Sequence, residues 1–226
     1  MPCIWTGSFS FVGVRFVLPN APSWPYTLAM FEFAFAVFFL FITPGPGVLS
    51  LAGVGSAFGY QKALRYFFGL FMGTNLVSLA VISGVATIVL AYPALRLLFL
   101  SASVAYLLYL AFKIVFSGSR IAFIQATQAP GFLGGVFLQA VNPKAYAVNT
   151  AFFTGFAFLP SSLMNETLIK LAMMNIIWIP IHLAWLGAGV TVRRLDLAPR
   201  VQFAINIVMA LSMLAVVALA ALSRAG

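Results

Sequence analysis

The sequence predicts an all-α integral membrane protein with six transmembrane helices in two inverted groups of three, the first and fourth helices being broken. Three observations predict it. Of 226 residues, 63% are hydrophobic and 7% are charged, with a mean hydropathy of +1.10. A soluble domain carries roughly 25% charged residues, and the three acids of this chain cannot clothe a soluble surface. Apolar stretches close to the length that crosses a bilayer, about 20 residues, recur along the chain. Two of them carry helix breakers, TPGPG at 43–47 and NPK at 142–144.

Residues 1–29 differ in character from the rest of the chain. They contain four prolines and Arg15 and lack both a basic start and a small-residue cleavage site, so they read as neither signal peptide nor span. Met30 stands where the first long apolar run begins. The expectation is an N-terminal extension, 1–29, outside the native protein, and a single six-helix domain over 30–224. A peptide covering residues 3–15 in the mass spectrum of the purified protein would refute it.

Six apolar stretches can be marked, roughly 30–57, 67–91, 93–116, 132–158, 168–192 and 203–222, each bounded by charge, proline or a polar cluster. The chain divides near residue 125 into halves of 30–125 and 126–224. Three is odd, so the second half inserts upside down relative to the first. Broken helices at corresponding positions of inverted halves point to a transport site near the bilayer midplane.

Basic residues on short loops set orientation. Lys62, Arg65, Lys113, Arg120, Arg193, Arg194 and Arg200 follow spans one, three and five, whereas Arg15, Arg96, Lys170 and Arg224 lie on the other side. Seven against four puts those three loops in the cytoplasm and both termini outside it. The net charge of +9 serves this asymmetry. The basic residues form no stripe or aromatic-interleaved patch, so no nucleic-acid partner is expected.

The candidate chemistry lies at the breaks. Proline removes a donor and glycine loosens a helix, and in lipid each freed backbone group needs a partner within the protein or a water-filled cavity. Pro44, Gly45, Pro46 and Gly47 are therefore candidate substrate-binding positions, their amides receiving a carboxylate as a helix N-terminus does. In the fourth stretch Gln139, Asn142, Tyr146 and Asn149 recur at spacings of 3, 4 and 3, one polar helical face. Pro143 and Lys144 lie beside it, and an intramembrane lysine usually faces a cavity. Asn175, Trp178, His182 and Trp185 repeat the spacing in the fifth stretch, the tryptophans reading as packing or interface anchors. Asn75 and Ser78 of the second stretch can face inward. Gly69 and Gly73 read as small-residue packing.

Other chemistries find little here. Glu32 reads as the outer end of span one, and Glu166 and Asp196 as loop residues. That leaves no mid-span acid for a proton relay, and Lys144 and His182 remain as proton-coupling candidates. One cysteine, Cys3, and one histidine, His182, exclude a disulfide within the chain and a histidine metal cluster. No cofactor, no metal and no enzymatic activity are expected. The alternatives to a transporter of small solutes are a metal-cation exporter of a related six-helix group and a membrane-embedded enzyme.

The stretches TPGPGVLSLAGVGSAFGYQKALRYFFGLFMG (43–73), VAYLLYLAFKI (104–114) and FLGGVFLQAVNPKA (132–145) resemble the LysE/RhtB family of amino-acid exporters over nearly all of 30–224. FLQAVNPK and AINIVMAL are most similar to its cysteine and O-acetylserine exporter branch. The resemblance implies a multi-pass protein of the bacterial inner membrane that exports a small amino acid or related zwitterion, coupled to the proton gradient. Its partners would be that substrate and the lipid bilayer, and a homo-oligomer is compatible with the family. Pro44, Gly45, Pro46, Asn142, Pro143 and Lys144 match its two motifs. Ser103 and Ala111 replace glycines of many relatives, Asn175 stands where several place an aspartate, and the loop 117–131 lacks a strong basic cluster.

The orientation is testable. A periplasm-reporting fusion after Leu222 should be active and one after Arg120 silent; the reverse pattern overturns the charge argument.

Overall fold

The computed structural model describes residues 10–11, 14–15, 24–116, 128–195 and 197–222. Apart from a two-residue ladder pairing β1 (Ser10–Phe11) with β2 (Val14–Arg15), the described chain is helical. In order the helices are α1 (Trp24–Ile42), α2 (Pro46–Phe58), α3 (Tyr60–Ile82), α4 (Val85–Ala91), α5 (Pro93–Val115), α6 (Phe132–Val141), α7 (Pro143–Gly155), α8 (Leu163–Arg194) and α9 (Pro199–Leu222). Among the described residues α3, α5 and α8 are long and apolar enough to cross a membrane. The α1–α2 pair, bent by 48°, makes a fourth crossing if taken as one broken span. Large apolar side chains point outward along these helices, among them Phe35, Phe39, Leu76 and Ile176, as a protein solvated by lipid allows.

Both breaks obey one local rule. Proline is tolerated at the first helical position, where its missing N–H would have no helical acceptor. Pro46 opens α2 after an extended Gly45, and Pro143 opens α7 after an extended Asn142. Thr43 ends α1 by turning its N–H and hydroxyl back to the Phe39 carbonyl, at 3.2 and 2.5 Å. Gly59, at φ 81°, joins α2 to α3 in a left-handed conformation that glycine alone adopts freely.

Helix pairs from opposite halves meet at backbone distance. A Cβ at Gly69 of α3 would run into the Phe132 carbonyl of α6, and one at Gly73 would stand 3.0 Å from Val136 Cα. On the other side, Gly189 of α8 lies against the Ala52 carbonyl of α2, and a Cβ at Gly55 would meet the Leu186 oxygen at 3.1 Å. So α3 packs on the broken α6–α7 and α8 on the broken α1–α2, through the small-residue contacts that membrane helices use in place of a hydrophobic drive. A second core joins Phe33 of α1 to Phe152 and Phe156, ring centroids 5.6 and 5.5 Å away.

Several sequence boundaries move. Helix α1 begins at Trp24, inside the stretch read as an extension, so Glu32 lies within the helix rather than at its end, and is exposed. YQKALRY, read as a loop, is the start of α3; Gly59 makes the turn alone because it is free to adopt positive φ. The stretch read as one span over 67–91 breaks at Gly84, φ 78°, between α3 and α4. Glu166 is not a loop acid. It sits buried in the first turn of α8, where a carboxylate is favoured. It pairs with Lys170 at 2.8 Å and accepts from the amides of Phe158 and Leu159 at 3.0 and 2.6 Å. Lys170, counted among the loop charges, is buried as well, beside the rings of Phe33 and Phe158, and donates to the Phe156 carbonyl. Cys3, Arg120, residues 117–127 of the loop 117–131, Asp196 and Arg224 lie outside the described residues.

Removing one partner of a buried ion pair strands the other. Lys170→Met should therefore destabilise the purified protein by on the order of 3 kcal/mol, read as a fall in melting temperature in detergent. An unchanged melting temperature would mean that the pair does not hold the turn after α7 onto α8.

Candidate functional site

The two breaks face each other across one cleft. Asn142 caps α7 by accepting the Lys144 amide at 3.1 Å, and its Nδ2 donates to Gln139 Oε1 at 2.9 Å. Gln139 Nε2 in turn donates to the Thr74 hydroxyl of α3 at 2.9 Å. The Lys144 side chain then crosses to the other break, where Nζ donates to the Thr43 carbonyl at 2.9 Å. A lysine from one broken helix thus satisfies a carbonyl at the end of the other, a contact spanning 101 positions of sequence.

Glycine leaves room where that lysine passes, and a side chain there would push it aside. A Cβ on Gly45 would stand 2.9 Å from Lys144 Cδ and 3.0 Å from Nζ, and one on Gly47 would stand 3.3 Å from Gln139 Nε2. Helix α2 has no side-chain cap. The amides of Gly47 and Val48, in its first turn, have no helical acceptor by the geometry of a helix start, and both residues line the cleft.

Helix α8 closes the cleft with a stacked aromatic pair. His182 and Trp178 lie parallel, centroids 3.6 Å apart at 15°, and His182 Nδ1 is 2.9 Å from the Trp178 carbonyl. Trp178 is wedged in turn against Phe67 and Phe71, at 5.3 and 5.5 Å. The cleft holds about 390 Å³ of space, its open mouth included. The space within it that is open to the centres of water molecules is small, with room for a few waters. Among the described residues the lining carries one ammonium and one imidazole and no carboxylate.

Of the residues picked out by sequence, the structure gathers Gly45, Gly47, Gln139, Asn142, Lys144 and His182 around this cleft. Pro44 is exposed outside the lining, while Pro46 and Pro143 shape the breaks without lining the cleft. The polar face drawn through Gln139, Asn142, Tyr146 and Asn149 does not exist as one face, because the helix breaks at Asn142. Tyr146 folds back to the Ala140 carbonyl at 2.8 Å with its ring on Phe99. Asn149 accepts the Ser78 hydroxyl at 2.6 Å. Asn75 and Asn175 line an adjoining cavity of about 190 Å³ that shares Phe41, Thr74 and Trp178 with the cleft.

Sequence reasoning missed Thr43, Phe41 and Thr74 as lining residues. Thr74 gave no signal, being one polar residue beside the more conspicuous Asn75. Trp178, read as packing, also forms a wall. The spacing of Trp178 and His182, four apart on one helix face, was the available clue.

Comparison of the chain with known protein families, curated proteins and solved structures finds no match in any of the three.

Gly45→Val should expel Lys144 from the Thr43 carbonyl without removing the protein from the membrane. Labelling of Lys144 by an amine-directed reagent, mapped by mass spectrometry, should then rise. Unaltered labelling would show that the lysine does not depend on the space above Gly45.

Proposed function

We propose that this chain is a secondary exporter of a small amino acid or related zwitterion across the bacterial inner membrane, coupled to the proton gradient. The observation that carries the reading is the meeting of both helix breaks at one cleft under Lys144. Anions are favoured at helix N-termini, and here the first turns of α2 and α7 and an ammonium converge on one small space. Transporters commonly build midplane sites from such discontinuous helices. The resemblance of 43–73, 104–114 and 132–145 to LysE/RhtB exporters supports the same reading.

The proposed architecture is six crossings in two inverted halves, with both termini outside the cytoplasm. Its support is the reciprocal packing of α3 on α6–α7 and of α8 on α1–α2. A closer support is the pair Asn75 and Asn175. Each amide donates to the other's oxygen at 3.0 Å and to the carbonyl four residues back at 2.9 Å. Two residues of one chain in equivalent, mutually exchanging contacts are what a local two-fold axis produces. A metal-cation exporter would want several acids or histidines along its path, and the cleft offers one imidazole beside an ammonium.

Export of a panel of amino acids from cells with and without the protein tests the reading, and uniform efflux across the panel would remove it. Lys144→Met should insert normally while export falls by roughly tenfold or more, as for loss of a hydrogen bond to a charged group. Lys144→Arg keeps a charge that it cannot release, so it should bind substrate and fail to concentrate it. An arginine variant that concentrates substrate as the parent does would make Lys144 a fixed countercharge.

A further inference from the structure

We propose that His182 receives the substrate's ammonium group while Lys144 holds its carboxylate, so that the site holds small α-amino acids with a free amine more tightly than their deaminated counterparts and refuses dibasic ones. The inference rests on the exporter reading and gives its site a second pole. A carbonyl oxygen can only accept, so the 2.9 Å contact with Trp178 places the imidazole hydrogen on Nδ1. In the neutral ring Nε2 is then a bare acceptor. It is aimed at Gly47, where an added Cβ would stand 3.8 Å from it. The stack on Trp178, 3.6 Å between centroids, fixes the ring in that direction.

Lys144 Nζ and His182 Nε2 thus flank one short segment, the first over Gly45 and the second over Gly47. Two residues of chain span at most about 7 Å. An α-amino acid carries its ammonium and carboxylate on one carbon and can bridge such an interval with one charge-assisted hydrogen bond of about 2.8 Å at each end. Donors for a carboxylate are abundant on the Lys144 side, where the first-turn amides of α2 also lie. On the other side Nε2 stands over Gly47 beside the Gln139 amide, which already donates to Thr74, and among the described residues no carboxylate lines the cleft. A second cation on the substrate would be buried without a partner, which is costly. Phe41, Val48 and Val148 form apolar walls around a narrow interior, which limits the side chain to a few atoms.

The test is equilibrium binding to the purified full chain in lipid nanodiscs. The probes are L-alanine, L-serine and L-cysteine, each beside its deaminated counterpart: propionate, 3-hydroxypropionate and 3-mercaptopropionate. His182→Phe keeps a ring to stack on Trp178 while removing both nitrogens. It should weaken the amino acid that the parent holds by roughly ten- to a hundredfold, the effect of losing a hydrogen bond to a charged group, and leave its deaminated counterpart unchanged. His182→Gln, which offers an amide oxygen, should restore part of the loss, and Lys144→Met should weaken both members of a pair. Equal weakening of both members by His182→Phe, or no weakening, overturns the inference while the exporter reading stands. A parent that holds none of the three also overturns it, and efflux of a larger or dibasic amino acid from the cell panel would then leave an exporter with a different site.

Discussion

Everything in this molecule depends on how two interrupted helices satisfy their backbones in a medium that offers no water. Each break frees carbonyls at the end of one helix and amides at the start of the next. Proline at the first position of α2 and of α7 deletes one of those donors in each, and Asn142 takes a further donor, the Lys144 amide, at 3.1 Å. The carbonyl of Thr43 is answered from across the protein by Lys144 at 2.9 Å. Donors at the start of α2, uncapped by any side chain, face the space between the breaks. Polar groups gather in that space because the backbone there is not satisfied by its own helix.

Such an arrangement needs a scaffold that holds two bent segments within a lysine's reach of each other. Helices α3 and α8 supply it, each pressed against the opposite half through glycines that let backbones touch. The same two helices deliver Thr74 to Gln139 and bring the Trp178–His182 pair over Gly47. Close packing and site geometry are therefore one feature. Any side chain added at Gly69 or Gly189 would separate the halves before it altered a group in the cleft.

The sequence made the breaks legible because Pro-Gly-Pro-Gly and Asn-Pro-Lys have few structural readings inside apolar runs. From them came Gly45, Gly47, Asn142 and Lys144, and helical spacing added Gln139 and His182. What failed was periodicity carried through a break. Tyr146 and Asn149 share a face with Gln139 only on an unbroken helix, and the extended backbone at Asn142 turns them toward Ala140 and Ser78. Charge counting failed where charges paired. Glu166 and Lys170 read as loop residues in a membrane protein, yet mutual neutralisation at 2.8 Å and three backbone contacts let them enter a helix and become buried. Helix α3 began before its expected start because Lys62 and Arg65 remain exposed on its first turns, so charge marked the membrane edge rather than the helix end.

The cleft's chemistry also bears on how a solute would leave it. The Lys144 ammonium already has an acceptor in the Thr43 carbonyl, so an arriving carboxylate must compete with the protein's own backbone for it. The net gain of such an exchange is smaller than that of binding to an unpartnered cation, because a hydrogen bond is given up as another forms. On the proposed reading, a site built this way would recognise a carboxylate while keeping affinity moderate, and would regain an internal contact when the solute departs. For the proposed exporter that would be the useful balance, since permeation requires binding favourable enough for entry and weak enough for exit. On that reading, the lysine that closes the gap between the two broken helices would also return the site to its starting arrangement.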